Sequence, residues 1–131
     1  MLALQLLTRT GDALVTSQTC YPGYRHLHHF FGASRFCIPL RSDLVVDLNA
    51  IKQLNPEKSQ VLLVNSPCNP FGIVMISEEL FAIFELQILI IFDEVYQLLG
   101  LDRVPEVSAL RFTDRHFVVG SFCQVSGCAW P

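Results

Sequence analysis

Gln87-Ile-Leu-Ile-Ile-Phe92 is the most hydrophobic run of the chain, and the acidic residue Asp93 follows it directly. Gln60–Val64 is a second apolar run without polar interruption. Runs of this length that do not alternate between apolar and polar residues are typical of parallel sheets, because helices cover both faces of such sheets. The two runs therefore predict buried strands of an α/β protein.

Further elements are predicted on either side of these runs. Short strands are expected at Ala13–Ser17, Arg35–Leu40 and Phe117–Gly120. Helices are expected up to Leu7 and at Tyr24–Phe31, where Gly32 would end the second helix. A third helix is expected after Asp47 as its cap, with Leu48, Ile51 and Leu54 on one face. A fourth is expected to begin at Ser77, with the serine hydroxyl as its cap. The alternation of predicted strands and helices is not interrupted by a repeat or linker. We therefore predict a single α/β domain over residues 1–131, layered α/β/α around a mostly parallel sheet.

The composition argues against several classes of function. Hydrophobic residues make up 51% of the 131 residues and charged residues 16%, which is too apolar for a disordered chain. The net charge of −3, without a block of basic residues, argues against a nucleic-acid partner. The longest apolar stretch, Leu80–Phe92, contains Glu85 and Gln87 and is shorter than the ~20 residues of a membrane-spanning helix.

The cysteines and histidines do not predict a metal site. The five cysteines include no C-x-x-C pair, and His26 and His29 have no third ligand at a suitable spacing. We expect free, buried thiols, because cysteine packs as a small hydrophobic residue. The absence of an export signal in the sequence predicts a reducing compartment, and we expect the protein to be cytoplasmic.

The segments that follow the predicted strands are the expected place for a ligand. In sheets of this kind, ligands bind outside the carboxyl ends of the strands. The segments concerned are Tyr21, Asn65–Gly72, Asp93–Tyr96 and Ser121–Gln124. They are also the least generic parts of the sequence.

These segments, in the same order, resemble motifs of the class I/II aminotransferases, the pyridoxal-phosphate enzymes related to aspartate aminotransferase. The matching stretches are Gly11-Asp12 with Tyr21-Pro22-Gly23-Tyr24, Asn65-Ser-Pro-Cys-Asn-Pro-Phe-Gly72, Ile91-Phe-Asp-Glu-Val-Tyr96 and Gly120-Ser-Phe-Cys-Gln124. Phe71 stands where the family usually has threonine. The resemblance covers nearly the whole chain and implies part of the large domain of the aminotransferase fold.

The resemblance implies pyridoxal 5′-phosphate as the cofactor and gives five residues a role in binding it. Asp93 would pair with the pyridine nitrogen, and Asn69 and Tyr96 would hydrogen-bond the phenolic oxygen of the ring. Tyr21 would stack on the ring, and Ser121 would donate to the phosphate. Each residue also has a structural interpretation: Asp93 and Ser121 as caps, Asn69 as a turn former, and the two tyrosines as packed aromatics.

Gln124 stands at the position of the family's catalytic lysine, which bonds covalently to the cofactor and transfers the proton. An amide nitrogen is neither nucleophilic nor basic, so the resemblance implies that no catalytic residue is intact. The only lysines, Lys52 and Lys58, lie in a polar segment far from this position in sequence. We therefore expect an inactive fragment of an enzyme that moves amino groups between amino acids and 2-oxo acids.

Three further interpretations stay open. In the first, the chain is an active transaminase or related lyase whose lysine is missing from the recorded sequence. In the second, it is a non-catalytic partner of an intact homologue. In the third, it is an unrelated α/β binding domain. The resemblance implies a homodimer or pairing with a longer homologue, since family members are usually dimers. We also predict poor solubility of the isolated chain, because uncovered sheet edges favour aggregation.

Overall fold

The computed structural model describes residues 2–53, 60–99, 107–112 and 114–126. Within these residues, one sheet contains five strands: β1 (Ala13–Ser17), β2 (Ser34–Ile38), β3 (Gln60–Asn65), β4 (Leu89–Asp93) and β5 (Phe117–Val119). Their order is β2-β1-β3-β4-β5, and every pairing is parallel. The predicted α/β fold with a mostly parallel sheet is confirmed.

Helices cover the sheet from both sides. They are α1 (Leu2–Leu7), α2 (Tyr24–Phe31), α3 (Leu48–Lys52), α4 (Ser77–Phe84) and α5 (Phe122–Ser126), with a 3-10 turn at Ala109–Arg111. One apolar cluster joins α1 and α2 to the sheet through Leu4, Tyr24 and Leu63. A second cluster joins α3, α4 and the 3-10 turn to the opposite face. Successive residues of a strand point to opposite faces, which explains the two separate clusters.

The sheet order brings the ends of the central strands together. The chain runs outward from β1 to the edge strand β2 and then returns to β3 on the other side of β1. Asn65, at the end of β3, lies opposite Asp93, and Asp93 lies opposite Val119 of β5. In such sheets a ligand crevice forms outside the carboxyl ends of the strands, where the order reverses. The loops after β1, β3, β4 and β5 therefore share one edge.

Two strand boundaries differ by two residues from the predictions, for backbone reasons, and four others differ by one residue. β2 ends at Ile38 rather than Leu40, because Pro39 follows and has no N–H to donate to the ladder. β4 begins at Leu89 rather than Gln87, whose φ of 52° interrupts an extended backbone. The prediction of a buried strand in this apolar stretch is confirmed, but Gln87 and Ile88 belong to the connection between α4 and the strand.

The helix ends confirm two predicted caps and correct a third. Gly32 ends α2 in the left-handed conformation with φ 63°, and the Asp47 carboxylate accepts the Asn49 N–H at 2.9 Å before α3. Ser77 is not the cap of α4. The Glu79 carboxylate instead accepts the N–H of Ile76 at 3.1 Å, because a carboxylate three residues into a helix can reach back to its start.

The edge strands are more exposed than the apolar sequence predicts. β1, β3 and β4 are buried on both faces, whereas Phe36 of β2 is 39% exposed and Phe117 and Val119 of β5 are 41% and 38% exposed. Strands at the edge of a sheet have a neighbour on one side only. The prediction of strands covered on both faces therefore holds for the three middle strands and is wrong for the two edges.

The cysteines only partly follow the prediction of buried thiols. All four described cysteines are free, but Cys20 alone is buried, while Cys37 and Cys123 are exposed. Cys37 is exposed because it lies on the edge strand β2, and the exposed Cys123 lies on the short helix α5. The described residues contain no group of three side chains suited to a metal ion. None of the described helices is long and apolar enough to cross a bilayer.

Candidate functional site

Asp93 ends β4 at the centre of the carboxyl edge, and the neighbouring chain holds it from several directions. Its backbone carbonyl accepts hydrogen bonds from the Asn65 side chain at 2.8 Å and the Ser66 N–H at 3.1 Å. One carboxylate oxygen accepts the Val95 N–H at 3.2 Å, and the other accepts the Tyr24 hydroxyl. Both the backbone and the side chain of Asp93 are thus fixed before any ligand binds.

Tyr24 is a site residue that the sequence analysis missed. Its ring is buried against the sheet, and its hydroxyl donates to Asp93 across 69 residues of sequence. Burial, together with the hydrogen bond to the Asp93 carboxylate, raises the Tyr24 pKa far above its usual value. The hydroxyl is therefore a permanent donor. The available signal was its position in the first turn of α2, three residues after Tyr21.

Asn69 and Tyr96 come from two different loops and meet at the same edge. The Asn69 side-chain nitrogen donates to the Tyr96 hydroxyl oxygen at 2.9 Å, and the Asn69 N–H donates to the Asn65 side chain at 2.7 Å. Gly72 allows the loop to turn back, because its φ of 69° suits glycine and its N–H reaches the Cys68 carbonyl at 2.6 Å. Asn65 thus links the Asn69–Tyr96 contact to Asp93.

Tyr21 lies beside this group rather than within its hydrogen bonds. Its ring is 48% exposed and contacts the Tyr24 ring edge to face, with centroids 5.5 Å apart. Gly23 makes this position possible, since a Cβ there would lie 2.4 Å from the Tyr21 ring. Within the described part of the chain, Tyr21 is therefore connected to Asp93 through Tyr24.

Ser121 and Gln124 form a separate pair after β5. The Ser121 hydroxyl donates to the side-chain oxygen of Gln124 and accepts the Cys123 N–H at 3.2 Å. Ser121 thus caps the short helix α5, which is the structural interpretation of this residue. The pair lies at the carboxyl edge because Val119, two residues before Ser121, is opposite Asp93 in the sheet.

A small cavity of about 80 Å³ opens beside Asp93. Apart from Tyr24 and Asp93, its lining is apolar: Ala3, Leu4, Leu27, Leu63, Ile91 and Val119. A carboxylate at the wall of an apolar cavity is suited to a cationic N–H, because a charge removed from water needs a partner of opposite sign. The structure therefore gives Asp93, Tyr24, Asn69 and Tyr96 one connected arrangement, with Tyr21 and the Ser121–Gln124 pair beside it.

Comparison with known proteins identifies the family of the chain. The family model of the aminotransferases of class I and II matches residues 1–128. A "Probable aspartate aminotransferase" of Methanocaldococcus jannaschii is 28% identical over 128 residues, which cover 95% of this chain and 34% of that protein. A "Probable N-succinyldiaminopimelate aminotransferase" of Mycobacterium tuberculosis is 27% identical over 132 residues, covering 93% of this chain and 33% of that protein.

A solved structure shows the same fold. The N-succinyldiaminopimelate aminotransferase structure from Mycobacterium tuberculosis superposes with a TM-score of 0.85 at 27% identity, covering 93% of this chain and 34% of that one. The chain thus spans about a third of the length of the relatives that it matches. Because the family model matches nearly every residue, the chain belongs to the class I and II aminotransferases.

Proposed function

We propose that this chain is the cofactor-binding part of the large domain of a pyridoxal-phosphate aminotransferase and that, with Gln124, it does not catalyse transamination. The substrates of the enzyme to which it corresponds are an amino acid and a 2-oxo acid. Family membership supports this assignment and implies pyridoxal 5′-phosphate as the cofactor. The domain is proposed to be a single, incomplete unit over residues 1–131.

The observation that carries the proposal is the Asn69–Tyr96 hydrogen bond next to Asp93. The Tyr96 oxygen accepts a hydrogen bond from the Asn69 side-chain amide at 2.9 Å, so the hydrogen of the Tyr96 hydroxyl is left to donate to a ligand oxygen. Asp93 supplies an anion at the same edge, where it can face a protonated ring nitrogen. This set of donors and acceptors fits a pyridine ring that carries a phenolic oxygen.

When bound, pyridoxal phosphate supplies an electron sink that stabilises negative charge on a substrate carbon, and Asp93 sustains it by keeping the ring nitrogen protonated. Tyr24 and Val95 fix the two oxygens of the Asp93 carboxylate, so little reorganisation is needed when the ring enters. Tyr21 is proposed to cover one face of the ring. Ser121 is proposed to hold the phosphate with its hydroxyl, which must first turn away from the Gln124 side-chain oxygen to which it donates.

Gln124 is the reason for the proposed loss of activity. A lysine amine at this position would attack the cofactor aldehyde and then carry a proton, and a carboxamide does neither. Lys52 is not a substitute, because it ends α3 next to Ile51, whose side chain belongs to the cluster on the face opposite Tyr24. Lys58 lies outside the described residues.

A second candidate function is that of a non-catalytic partner of a longer homologue. The observation that favours it is the exposure of Phe117 and Val119 on the edge strand β5, which leaves apolar surface for another chain. Co-expression with an intact family member tests it. Recovery of a stable heterodimer supports this candidate, and separate elution of the two chains rejects it.

The proposed function is tested by titrating the soluble fraction of the chain with pyridoxal phosphate and measuring binding calorimetrically. We expect saturable one-to-one binding, and we expect Asn69→Ala to weaken it by about 10-fold, the effect of one lost hydrogen bond to the ligand. Asn49→Ala is the matched control, because it also replaces an asparagine by alanine, but on the helix α3, which carries no residue of the proposed site. Equal affinity of the two variants, or no saturable binding by the unmodified chain, rejects the proposal.

A further inference from the structure

Glu94, the residue after Asp93, is a buried carboxylate to which the proposed site gives no role. Its exposed fraction is 7%. One carboxylate oxygen accepts the Ala109 N–H at 2.7 Å, and the other accepts the Ser108 hydroxyl at 2.8 Å. The Gln97 amide, in the orientation that satisfies both of its ends, donates to Glu94 at 2.8 Å and accepts the Ser108 N–H at 3.1 Å.

These contacts offset the burial of the charge. A carboxylate that leaves water without partners is strongly destabilising, whereas one that accepts several hydrogen bonds is tolerated. Among the described residues, its donors lie in two short segments, the turn after Asp93 and the start of the 3-10 turn, where Ala109 is fully buried in the core. The carboxylate therefore fixes the 3-10 turn against the end of β4.

The backbone of Glu94 makes a second connection, to β5. Its N–H donates to the Val119 carbonyl at 2.8 Å, and Val119 lies two residues before Ser121. Glu94 thus contacts the chain both before and at the end of β5. Its side chain contacts Ser108 and Ala109 ahead of the strand, and its backbone contacts Val119, the last residue of the strand. The peptide bond to Asp93 connects these contacts directly to the carboxylate at the centre of the site.

We infer that Glu94 is a positioning residue that holds the Ser121–Gln124 turn at a fixed place relative to Asp93. The inference rests on the proposed function, since it matters for a ligand that reaches from Asp93 to Ser121. Glu94 itself does not contact the ligand. Its side chain points to the face opposite Asp93, because neighbouring residues at a strand end alternate.

Hydrogen–deuterium exchange of the ligand-free chain, measured by mass spectrometry, tests this inference. We expect Glu94→Leu, which keeps the volume but removes the acceptors, to accelerate exchange of the 118–123 amides by about 10- to 100-fold. Exchange in β1 and β3 is expected to stay near that of the unmodified chain. In Glu94→Gln the side chain can still accept the Ala109 N–H, so we expect the 118–123 amides to exchange as slowly as in the unmodified chain.

Glu79→Leu is the matched control, because Glu79 also accepts a backbone N–H but at the start of α4. It is expected to leave the 118–123 amides unchanged. The inference is overturned if Glu94→Leu accelerates β1, β3 and β5 equally, if the 118–123 amides do not respond, or if Glu94→Gln fails to restore them. No cofactor is used, so a failure of pyridoxal phosphate to bind rejects the proposed function without deciding this experiment.

Discussion

Replacing Gln124 by lysine is expected to let residue 124 bond covalently to pyridoxal phosphate. The unmodified chain is expected to form no such bond at this residue. The lysine amine adds to the cofactor aldehyde with loss of water, and borohydride reduces the product to a stable secondary amine. The measurement is peptide mapping by mass spectrometry after reduction. Because an amide nitrogen cannot add to the aldehyde, the difference between the two chains is all or none at this position.

The same substitution has a second expected effect, on Ser121. In the structure the Ser121 hydroxyl donates to the Gln124 side-chain oxygen, and a lysine offers no acceptor there. The hydroxyl is then free to donate to the phosphate. Gln53→Lys, at the residue that follows α3, controls for labelling of any exposed lysine. Labelling of Gln124→Lys no stronger than that of Gln53→Lys would contradict the position assigned to residue 124.

Self-association of the isolated chain is the second large effect that we expect. Phe36 and Phe117 are 39% and 41% exposed on the two edge strands, beside backbone groups that can pair with another chain. Phe117→Lys places a charge on the β5 edge and is expected to move most of the protein from aggregates to a monomer peak. Gel filtration with light scattering measures this change.

A charge placed elsewhere separates an edge effect from a general gain in solubility. Leu6 is 79% exposed on α1, so Leu6→Lys adds the same charge on a helix rather than on an edge strand. We expect it to leave the aggregates largely in place. A sharp monomer peak with cooperative melting for the unmodified chain would show that its edges are adequately protected, and the prediction would then be wrong.

The middle of the sheet could be predicted from the sequence because its signal is local. The apolar runs of β3 and β4 predict buried strands by their own composition, and both strands are buried. The boundaries of β1 and α2 also agree with the predictions. In a parallel sheet all carboxyl ends lie at one edge, so the loops with Asn69, Asp93 and Tyr96 were expected to meet. The Asn69–Tyr96 hydrogen bond confirms that expectation for those two loops.

What could not be predicted depends on contacts between residues distant in sequence. The exposure of Phe36 and Cys37 follows from the place of β2 at the sheet edge, which the apolar pattern does not encode. Tyr24 contacts Asp93 across 69 residues, and Glu94 contacts Ser108 across 14. Such partners depend on how α2 and the 3-10 turn pack on the sheet, and no periodicity in the sequence reports that packing.

The most direct test of the central claim is the interaction between Asp93 and the ring nitrogen of the cofactor. Calorimetry would compare pyridoxal phosphate with an analogue in which a C–H replaces that nitrogen, for the soluble fractions of the unmodified chain and of Asp93→Asn. We expect the unmodified chain to prefer pyridoxal phosphate by about 10- to 100-fold, the value of a charged hydrogen bond, and Asp93→Asn to lose most of this preference. The same preference in both chains, or no saturable binding by the unmodified chain, would contradict the assignment of this sheet edge as the cofactor site.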